Sequence, residues 1–348
     1  MQSIQQPKVM LLLLLVLLPF IGSCSKPAAE DLWQDYHSRL ARVLDLPELQ
    51  PELAAVPPLP PVRELYQTLA ENKLTLLDLV ALRSCGLQQL VAERNNSLGK
   101  TMTPANQLGY ELQLLHQLQP CLQHPALDSG LRAQLAEIYR QKQQELPVVV
   151  DNFFLTDLTL RQQLQGSQRS LQAGETLTVA PTMSALRALA DMQYQLHRLD
   201  NKTIASTNAG VINQQVGQLY QSQLLADWQY SLRLNYSWLK ALNQQLEHFD
   251  LDKFCQRPQA KPKAEILRNI LLQQFIGKIQ PYLAELDGIS QQLQPLLNRM
   301  YQHSAIKTAF YQRTEAQNMA LKIQLRRHVA WWQQLQQQCQ VKIASKQG

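Results

Sequence analysis

The sequence predicts an all-α fold, a multi-helix bundle with long antiparallel helical hairpins. Only 12 of the 348 residues are glycine, and 51 are glutamine, interleaved with leucine and alanine at helical spacing, a composition that favours helix over strand. The clearest periodicity runs from Leu225 to Phe249, where apolar spacings of three and four residues alternate as in a coiled-coil seam. Asn235 interrupts this seam, and we expect its side chain to fix the register of packing within the chain.

The N-terminal segment, residues 1–23, has the anatomy of a signal peptide. Lys8 precedes an apolar run of 13 residues, Val9 to Ile21, and small residues follow. A membrane-spanning helix needs about 20 apolar residues, so this run is too short to serve as one. Ile21-Gly22-Ser23-Cys24 resembles a bacterial lipobox, which predicts cleavage before Cys24 and acylation of that cysteine, palmitate included. The alternative is an ordinary secretory signal followed by an incidental cysteine.

A lipidated Cys24 places the protein in the cell envelope. Residues 24–30 then form a tether, and residues 31–348 form a single all-α domain that faces the periplasm. Each buried methylene contributes about 0.8 kcal/mol, so several acyl chains on one residue hold firmly. By analogy with the sorting rule of enteric bacteria, Ser25 favours the outer membrane over the inner membrane.

The charge balance narrows the choice of partners. The chain has 33 basic and 27 acidic residues, and removal of Lys8 with the signal leaves 32 − 27 = +5. Because no block of lysine or arginine occurs, nucleic-acid binding has no support. The expected partners are the membrane, through the lipid anchor, and another protein of the envelope.

Four further cysteines make an even number in an oxidising compartment, which predicts two disulfides. They are Cys85, Cys121, Cys255 and Cys339. Three connectivities are possible, and we favour Cys85–Cys121 with Cys255–Cys339, each bridge stabilising by about 4 kcal/mol. A metal site is disfavoured because the chain has no CxxC pair and no histidine at ligand spacing. We predict no metal and no cofactor.

Apolar stripes and stop signals predict the individual helices. In the first half we predict helices at residues 28–45, 62–72, 75–95, 104–120, 128–145 and 151–165, with residues 148–150 ambiguous. Thr103-Pro104 should open one of these helices, Asn95-Asn96 and Gly166 should end two others, and a long loop should span residues 166–181. In the second half we predict helices at residues 182–199, 225–249, 264–300 and 305–343, with an interruption at residues 201–210 and a polar turn at residues 250–263.

The proline-rich segment near the N-terminus spans residues 47–61. Its six prolines preclude a helix and favour an extended, polyproline-like conformation. The segment is either a docking site for a proline-recognising partner or a spacer laid over the bundle. We favour the spacer because we find no charged anchor beside a clean PxxP pair.

No catalytic motif of the GxSxG, HExxH, P-loop or GxGxxG type occurs. SxxK tetrads occur, among them Ser97–Lys100 and Ser304–Lys307, but neither SDN nor KTG accompanies them. In the last helix we expect His328 to be a satisfied core residue and one ring of Trp331-Trp332 to be half exposed. We therefore predict no catalytic residues and no enzyme activity.

The densest polar cluster lies between residues 83 and 100. Its members are Arg83, Glu93, Arg94, Asn95, Asn96, Ser97 and Lys100. We expect Arg83 and Arg94 to share the apolar stripe of one helix and so to need carboxylate or carbonyl partners. The cluster is either an anion or ligand site at a helix end, or a salt-bridge network that fixes a turn. We favour the network, which predicts that Arg83→Ala destabilises the domain.

The stretch from Leu82 to Lys100, with Arg83-Ser84-Cys85-Gly86 and Glu93-Arg94-Asn95-Asn96 inside it, carries a family resemblance. It closely resembles a segment of an uncharacterised family of gammaproteobacterial lipoproteins, domain of unknown function family 3080. The lipobox, the first helix, the proline-rich segment and the final helix are also similar, so the resemblance covers nearly the whole chain after the signal. It implies an anchored, single-domain protein and brings no catalytic residues.

These observations rank three classes of function. A non-catalytic envelope lipoprotein with an interaction or structural role comes first. A small-molecule or lipid-binding module with a pocket near Arg83 and Arg94 is the alternative. An enzyme ranks last, because no nucleophile, base or metal constellation is recognisable.

Overall fold

The computed structural model describes residues 28–70, 82–96, 99–172 and 179–341, so the signal segment and Cys24 lie outside the described residues. Within these ranges the chain forms helices and no strand, which confirms the all-α prediction. None of the helices in the described ranges has the length and apolar content needed to cross a membrane. The α-helices are α1 (Ala29–Leu44), α2 (Val62–Leu65), α3 (Leu87–Asn95), α4 (Pro104–Cys121), α5 (Ser129–Thr156), α6 (Leu158–Gln165), α7 (Ala180–His197), α8 (Asn201–Ser206), α9 (Ala209–Tyr220), α10 (Leu224–Glu247), α11 (Leu251–Cys255), α12 (Ala260–Ile270), α13 (Gln280–Tyr301), α14 (Lys307–Arg313) and α15 (Glu315–Gln338).

The apolar side chains form two clusters. The larger one is built around α1, α10 and α15, where Trp33, Tyr36 and Trp228 are fully buried. The smaller one joins α3, α4 and the first half of α5. Tyr139 of α5 packs against both clusters, so this long helix connects the two parts of the core.

The two helices that pack most extensively, α10 and α15, run in the same direction. Residues later in α10 contact residues later in α15. Asn243 donates a hydrogen bond to the carbonyl of Gln324 at 2.8 Å, and the disulfide Cys255–Cys339 joins the segments that follow. After α11 the chain runs through α12, a π-helical stretch at Leu271–Ile279 and α13. This segment returns the chain to the end of the bundle at which α10 begins, so that α15 can run parallel to α10.

The helices α4 and α5 form an antiparallel hairpin of the predicted kind. Lys142 of α5 pairs with Glu111 of α4 at 3.1 Å, whereas Arg132, earlier in α5, donates to the carbonyl of Leu122 just after α4 at 2.8 Å. Thr103 opens α4 as predicted, because its hydroxyl accepts a hydrogen bond from the main-chain N–H of Asn106.

Two predicted helices in the first half are wrong in extent. The helix predicted at residues 62–72 ends at Leu65, where Tyr66 is extended, and residues 66–70 are not helical. The helix predicted at residues 75–95 is interrupted at Gly86, which adopts a left-handed conformation with φ of 77° between a short 3₁₀ turn and the start of α3 at Leu87. Residues 71–81 lie outside the described ranges. Asn96 ends α3 as expected, although its conformation is extended and not left-handed.

Prolines and polar residues terminate fewer helices than predicted. The α5 helix continues through Pro147 to Thr156, and the predicted polar turn at residues 250–263 contains α11. Around Pro147 the helix keeps its course because Val150, Phe153 and Phe154 are buried, so packing outweighs the lost hydrogen bond. Gly166 ends α6 as predicted.

The proline-rich segment contains no helix or strand and lies over the bundle, as the spacer interpretation predicts. We call residues 47–61 the strap. Three arginines from three helices donate to strap carbonyls that are three residues apart. The pairs are Arg233 Nε with Ala54 at 2.9 Å, Arg313 Nη1 with Pro57 at 2.9 Å and Arg161 Nη2 with Pro60 at 2.8 Å. A polyproline helix has three residues per turn, so these carbonyls lie on one face of the strap.

Candidate functional site

The predicted polar cluster is divided by Gly86. Arg83 is exposed in the 3₁₀ turn before Gly86, so the expectation that it shares an apolar stripe with Arg94 is wrong. Arg94 is half-buried near the end of α3, donates to the carbonyl of Gly99 and lies 5.9 Å from the ring centre of Tyr110. These contacts are those of a side chain that fixes a turn.

The turn after α3 requires a small residue. The carboxamide oxygen of Asn96 accepts a hydrogen bond from the main-chain N–H of Gly99 at 2.7 Å. A Cβ added at Gly99 would overlap the carbonyl groups of Glu93 and Arg94. The side chain of Glu93 is exposed and accepts from Gln89 on the same helix. Ser97 and the side chain of Lys100 lie outside the described residues.

A cavity of about 700 Å³ lies beside this turn, with Arg94 and Asn95 in its lining. Pockets for small molecules have volumes of about 300 to 1,000 Å³, so the size is suitable for a ligand. The apolar walls come from α3, α4 and α5, and include Leu87, Val91, Leu114, Leu118, Leu135 and Ile138. Ala70 and Leu82, which flank the residues that are not described, also line it.

A buried ionic group lies in the same lining. Lys142 Nζ is 3.1 Å from Oε1 of Glu111 and 3.2 Å from Oε2 of Glu145, and the Lys142 and Glu111 side chains are only 10% and 5% exposed. Burial raises the pKa of Glu111, and the ammonium group of Lys142 opposes that rise. The second oxygen of Glu111, Oε2, accepts no hydrogen bond from the described residues. This oxygen is a hydrogen-bond acceptor at the edge of an apolar cavity.

Sequence reasoning missed this group because its members are far apart in the chain. Glu111 and Lys142 are 31 residues apart and lie on facing helices. A signal was present, since the residues three or four positions from Glu111 include Leu108, Leu114 and Leu115, which places the carboxylate on an apolar face of α4. A carboxylate at such a position needs a cationic partner.

The other residues considered for chemistry take structural positions. Ser304 lies in a turn before α14, where its hydroxyl donates to the carbonyl of Tyr301 at 2.8 Å and so takes part in closing that turn. His328 is fully buried, as expected, and both Trp331 and Trp332 are buried, which corrects the prediction of a half-exposed ring. Within the described ranges, no three histidine, cysteine or acidic side chains are grouped to hold a metal ion.

Both predicted disulfides are present. Cys85 pairs with Cys121 and joins the turn before α3 to the end of α4. Cys255 pairs with Cys339 and joins α11 to the end of α15. Four of the five cysteines of the chain are therefore bonded to each other, and Cys24 is the fifth.

A family model described as "Protein of unknown function (DUF3080)" matches residues 33–343. The chain belongs to the DUF3080 family. The match runs from α1 to the end of α15, so it includes the strap, the turn at Arg94 and both disulfides. No curated protein and no solved structure matches the chain. Membership of DUF3080 supports the family resemblance noted in the sequence and assigns no activity.

Proposed function

We propose that this DUF3080 protein is a non-catalytic lipoprotein of the cell envelope that binds another envelope component. The observation that carries the proposal is the pairing of the cysteines. Four of five cysteines form two disulfides, and such bonds persist in oxidising compartments. The remaining one, Cys24, is the residue that follows the small residues at the end of the apolar signal. Export and lipid attachment thus account for all five cysteines.

The proposed anchor includes acylation of Cys24 with palmitate or a related chain, and a domain that faces the periplasm. Ser25 after the cysteine favours the outer membrane. The tether predicted at residues 24–30 overlaps α1, which begins at Ala29, five residues after Cys24. The bundle therefore lies close to the membrane surface, where its partner is expected.

Metabolic labelling with an alkyne analogue of palmitate tests the anchor. We expect the full-length protein to be labelled and to fractionate with membranes, and the Cys24→Ser variant to lose both properties. A Cys85→Ala/Cys121→Ala double variant is the matched control, because it loses two cysteines that form a disulfide and should keep the label. An unlabelled wild-type protein that is released with the periplasmic contents would overturn the proposal.

The cavity beside Arg94 supports a second candidate function, the binding of an amphipathic small molecule or lipid. Its walls combine leucine, valine and isoleucine side chains with polar ones, among which Arg94 and Glu111 offer a donor and an acceptor to a polar head group. The probe 11-(dansylamino)undecanoic acid tests this function by fluorescence titration. We expect Arg94→Met to weaken binding and the matched variant Arg83→Met, at an exposed site, to leave it unchanged. Equal binding by both variants, or none by the wild type, would exclude the cavity as the site.

A further inference from the structure

We propose that the exposed face of the strap is a docking site for a partner protein whose groove is lined by aromatic side chains and carries a carboxylate. The inference rests on the proposed function, because it specifies the kind of partner that a binding role in the envelope requires. It begins from the three faces of the strap. Each face repeats every third residue, as a polyproline helix dictates.

One face of the strap packs on the core and a second is held by the arginines. Leu53 and Leu59 pack against the large apolar cluster. The carbonyls of the next row, at Ala54, Pro57 and Pro60, accept hydrogen bonds from Arg233, Arg313 and Arg161. The third row is exposed to solvent, and its members are Glu52, Ala55, Pro58 and Pro61.

Contacts within the protein hold the strap in place without a partner. Its donors belong to α6, α10 and α14, three separate helices, and the hydroxyl of Ser237 on α10 accepts from the N–H of Ala54 at 2.9 Å. Pro61 has φ of −65° and ψ of 152°, the polyproline conformation. Because the segment is already ordered, a partner that recognises it loses little conformational entropy on binding.

The exposed row carries the groups that a proline-binding groove recognises. Pro58 and Pro61 form a PxxP pair with both rings exposed, and Arg63 is exposed two residues later. Arg63 forms no ion pair with any described residue, and the carbonyls of Ala55 and Pro58 accept no hydrogen bond from the described residues. Arg63 therefore supplies the charged anchor beside a PxxP pair that the spacer interpretation took to be absent.

The chemistry of these groups specifies the partner. Aromatic-lined grooves bind proline rings of a preformed polyproline helix. A carboxylate in the groove would pair with Arg63, whose charge no described carboxylate neutralises. Val62 and Tyr66, 44% and 42% exposed, continue the apolar surface beyond Pro61. The strip thus offers two exposed prolines, followed in the chain by an exposed cation and exposed apolar side chains.

Calorimetric titration with a purified SH3 domain selective for PxxPxR peptides tests the strip itself. We expect saturable binding to the full-length protein in detergent, and loss of about tenfold or more in affinity for Arg63→Glu and for Pro58→Ala. The exposed residue Arg187 on α7 provides the matched control, because Arg187→Glu makes the same change of charge and should bind as the wild type. No binding, or equal binding by Arg63→Glu and the wild type, would overturn the proposal. A thermal melt confirms that each variant is folded.

Photocrosslinking in cells tests the natural partner. A photoreactive residue at Ala55 should crosslink to one envelope protein, through a peptide that contains aromatic and acidic residues, and Arg63→Glu should abolish the crosslink. The same residue at Ala188, exposed on α7, should give no such product. If Cys24 is labelled with lipid but Ala55 yields no crosslink, the strip is excluded and the anchor stands. If the protein carries no lipid while the SH3 domain binds, the anchor fails and the strip stands.

Discussion

The hydroxyl group of Tyr36 in α1 lies 2.7 Å from Nε2 of His328 in α15. Trp332 Nε1 donates to the same hydroxyl at 2.9 Å, and His328 Nδ1 lies 3.2 Å from Oδ1 of Asn243. The amide of Asn243 donates to the carbonyl of Gln324, so its oxygen faces the histidine and Nδ1 carries the proton. His328 Nε2 then accepts from Tyr36. A neutral, fully hydrogen-bonded group thus joins α1, α10 and α15 inside the core.

The first prediction concerns acid stability. Burial lowers the pKa of His328 to about 3, against about 6.5 in the unfolded chain. Between about pH 3 and pH 6.5 the unfolded state binds one more proton than the folded state. The contribution of neutral His328 to the free energy of unfolding is therefore complete above about pH 6.5. It is lost as the pH falls, by up to about 1.4 kcal/mol per pH unit. Urea unfolding from pH 7.5 to 4.5 should show a shallower pH dependence in His328→Gln. His303→Gln, at an exposed site, should keep the wild-type slope, and an unchanged slope in His328→Gln would contradict the assignment.

The second prediction concerns the contact between α4 and α9. Gly109 lies against Ala209, and an added Cβ would overlap the main chain of Ala209. Because the neighbouring atoms belong to the backbone, Gly109→Ala should lower the free energy of unfolding by about 1 to 3 kcal/mol. Gly217 on α9 is the matched control, since a Cβ there meets nothing within 4 Å. Gly217→Ala should be neutral or stabilising by up to about 1 kcal/mol. A stabilised Gly109→Ala protein would disprove the close approach.

The third prediction compares the two disulfides. Cys85–Cys121 spans 36 residues and Cys255–Cys339 spans 84 residues. On the chain-entropy account each bridge contributes about 4 kcal/mol, and the longer loop contributes more by a fraction of 1 kcal/mol. Cys255→Ala/Cys339→Ala should therefore be destabilised at least as much as Cys85→Ala/Cys121→Ala in urea unfolding. The reverse order would show that native packing or residual structure in the unfolded chain outweighs loop length.

The elements set by local chemistry were predictable from the sequence. The seam of α10 is buried at Leu225, Trp228 and Leu232, and Asn235 accepts a hydrogen bond from Trp33 Nε1 at 2.7 Å. The cap at Thr103 and both disulfides also followed from residue type and spacing. In each case a few neighbouring residues, or the count of cysteines, carry the information.

The features that depend on distant residues were not predictable. Gly86 interrupts a helix that the apolar stripe continues through, because it adopts a left-handed conformation that the stripe does not indicate. The parallel course of α10 and α15 depends on the length of the chain that returns between them. The partners of Arg161, Arg233 and Arg313 are main-chain carbonyls of the strap, and no spacing in the sequence signals such pairs.

The fourth prediction separates the two arginines of the polar cluster. Arg94 donates to the carbonyl of Gly99 and lies over the ring of Tyr110, whereas Arg83 is exposed. We expect Arg94→Met to lower the free energy of unfolding by about 1 to 3 kcal/mol, because a carbonyl in the tight turn loses its donor. Arg83→Met should lie within about 0.5 kcal/mol of the wild type, as is usual for surface residues. Chemical denaturation measures both variants, and a large effect at Arg83 would restore the original expectation for that residue.

The last prediction concerns the attachment of the strap. Arg313 is buried and donates to the carbonyls of Pro57 and Gln165, while burial and the nearby charge of Arg233 lower its pKa. Arg313→Met should leave both carbonyls without this donor and lower the free energy of unfolding by about 1 to 3 kcal/mol. It should also make the strap more mobile. Hydrogen exchange provides a local measurement, since the N–H of Ala54 donates to the hydroxyl of Ser237 when the strap lies on the bundle. We expect faster exchange at Ala54 in Arg313→Met and no change in the exposed control variant Arg187→Met. If Ala54 exchanges at the wild-type rate in Arg313→Met, Arg313 does not hold the strap in place. The rigidity of the strap would then have another source.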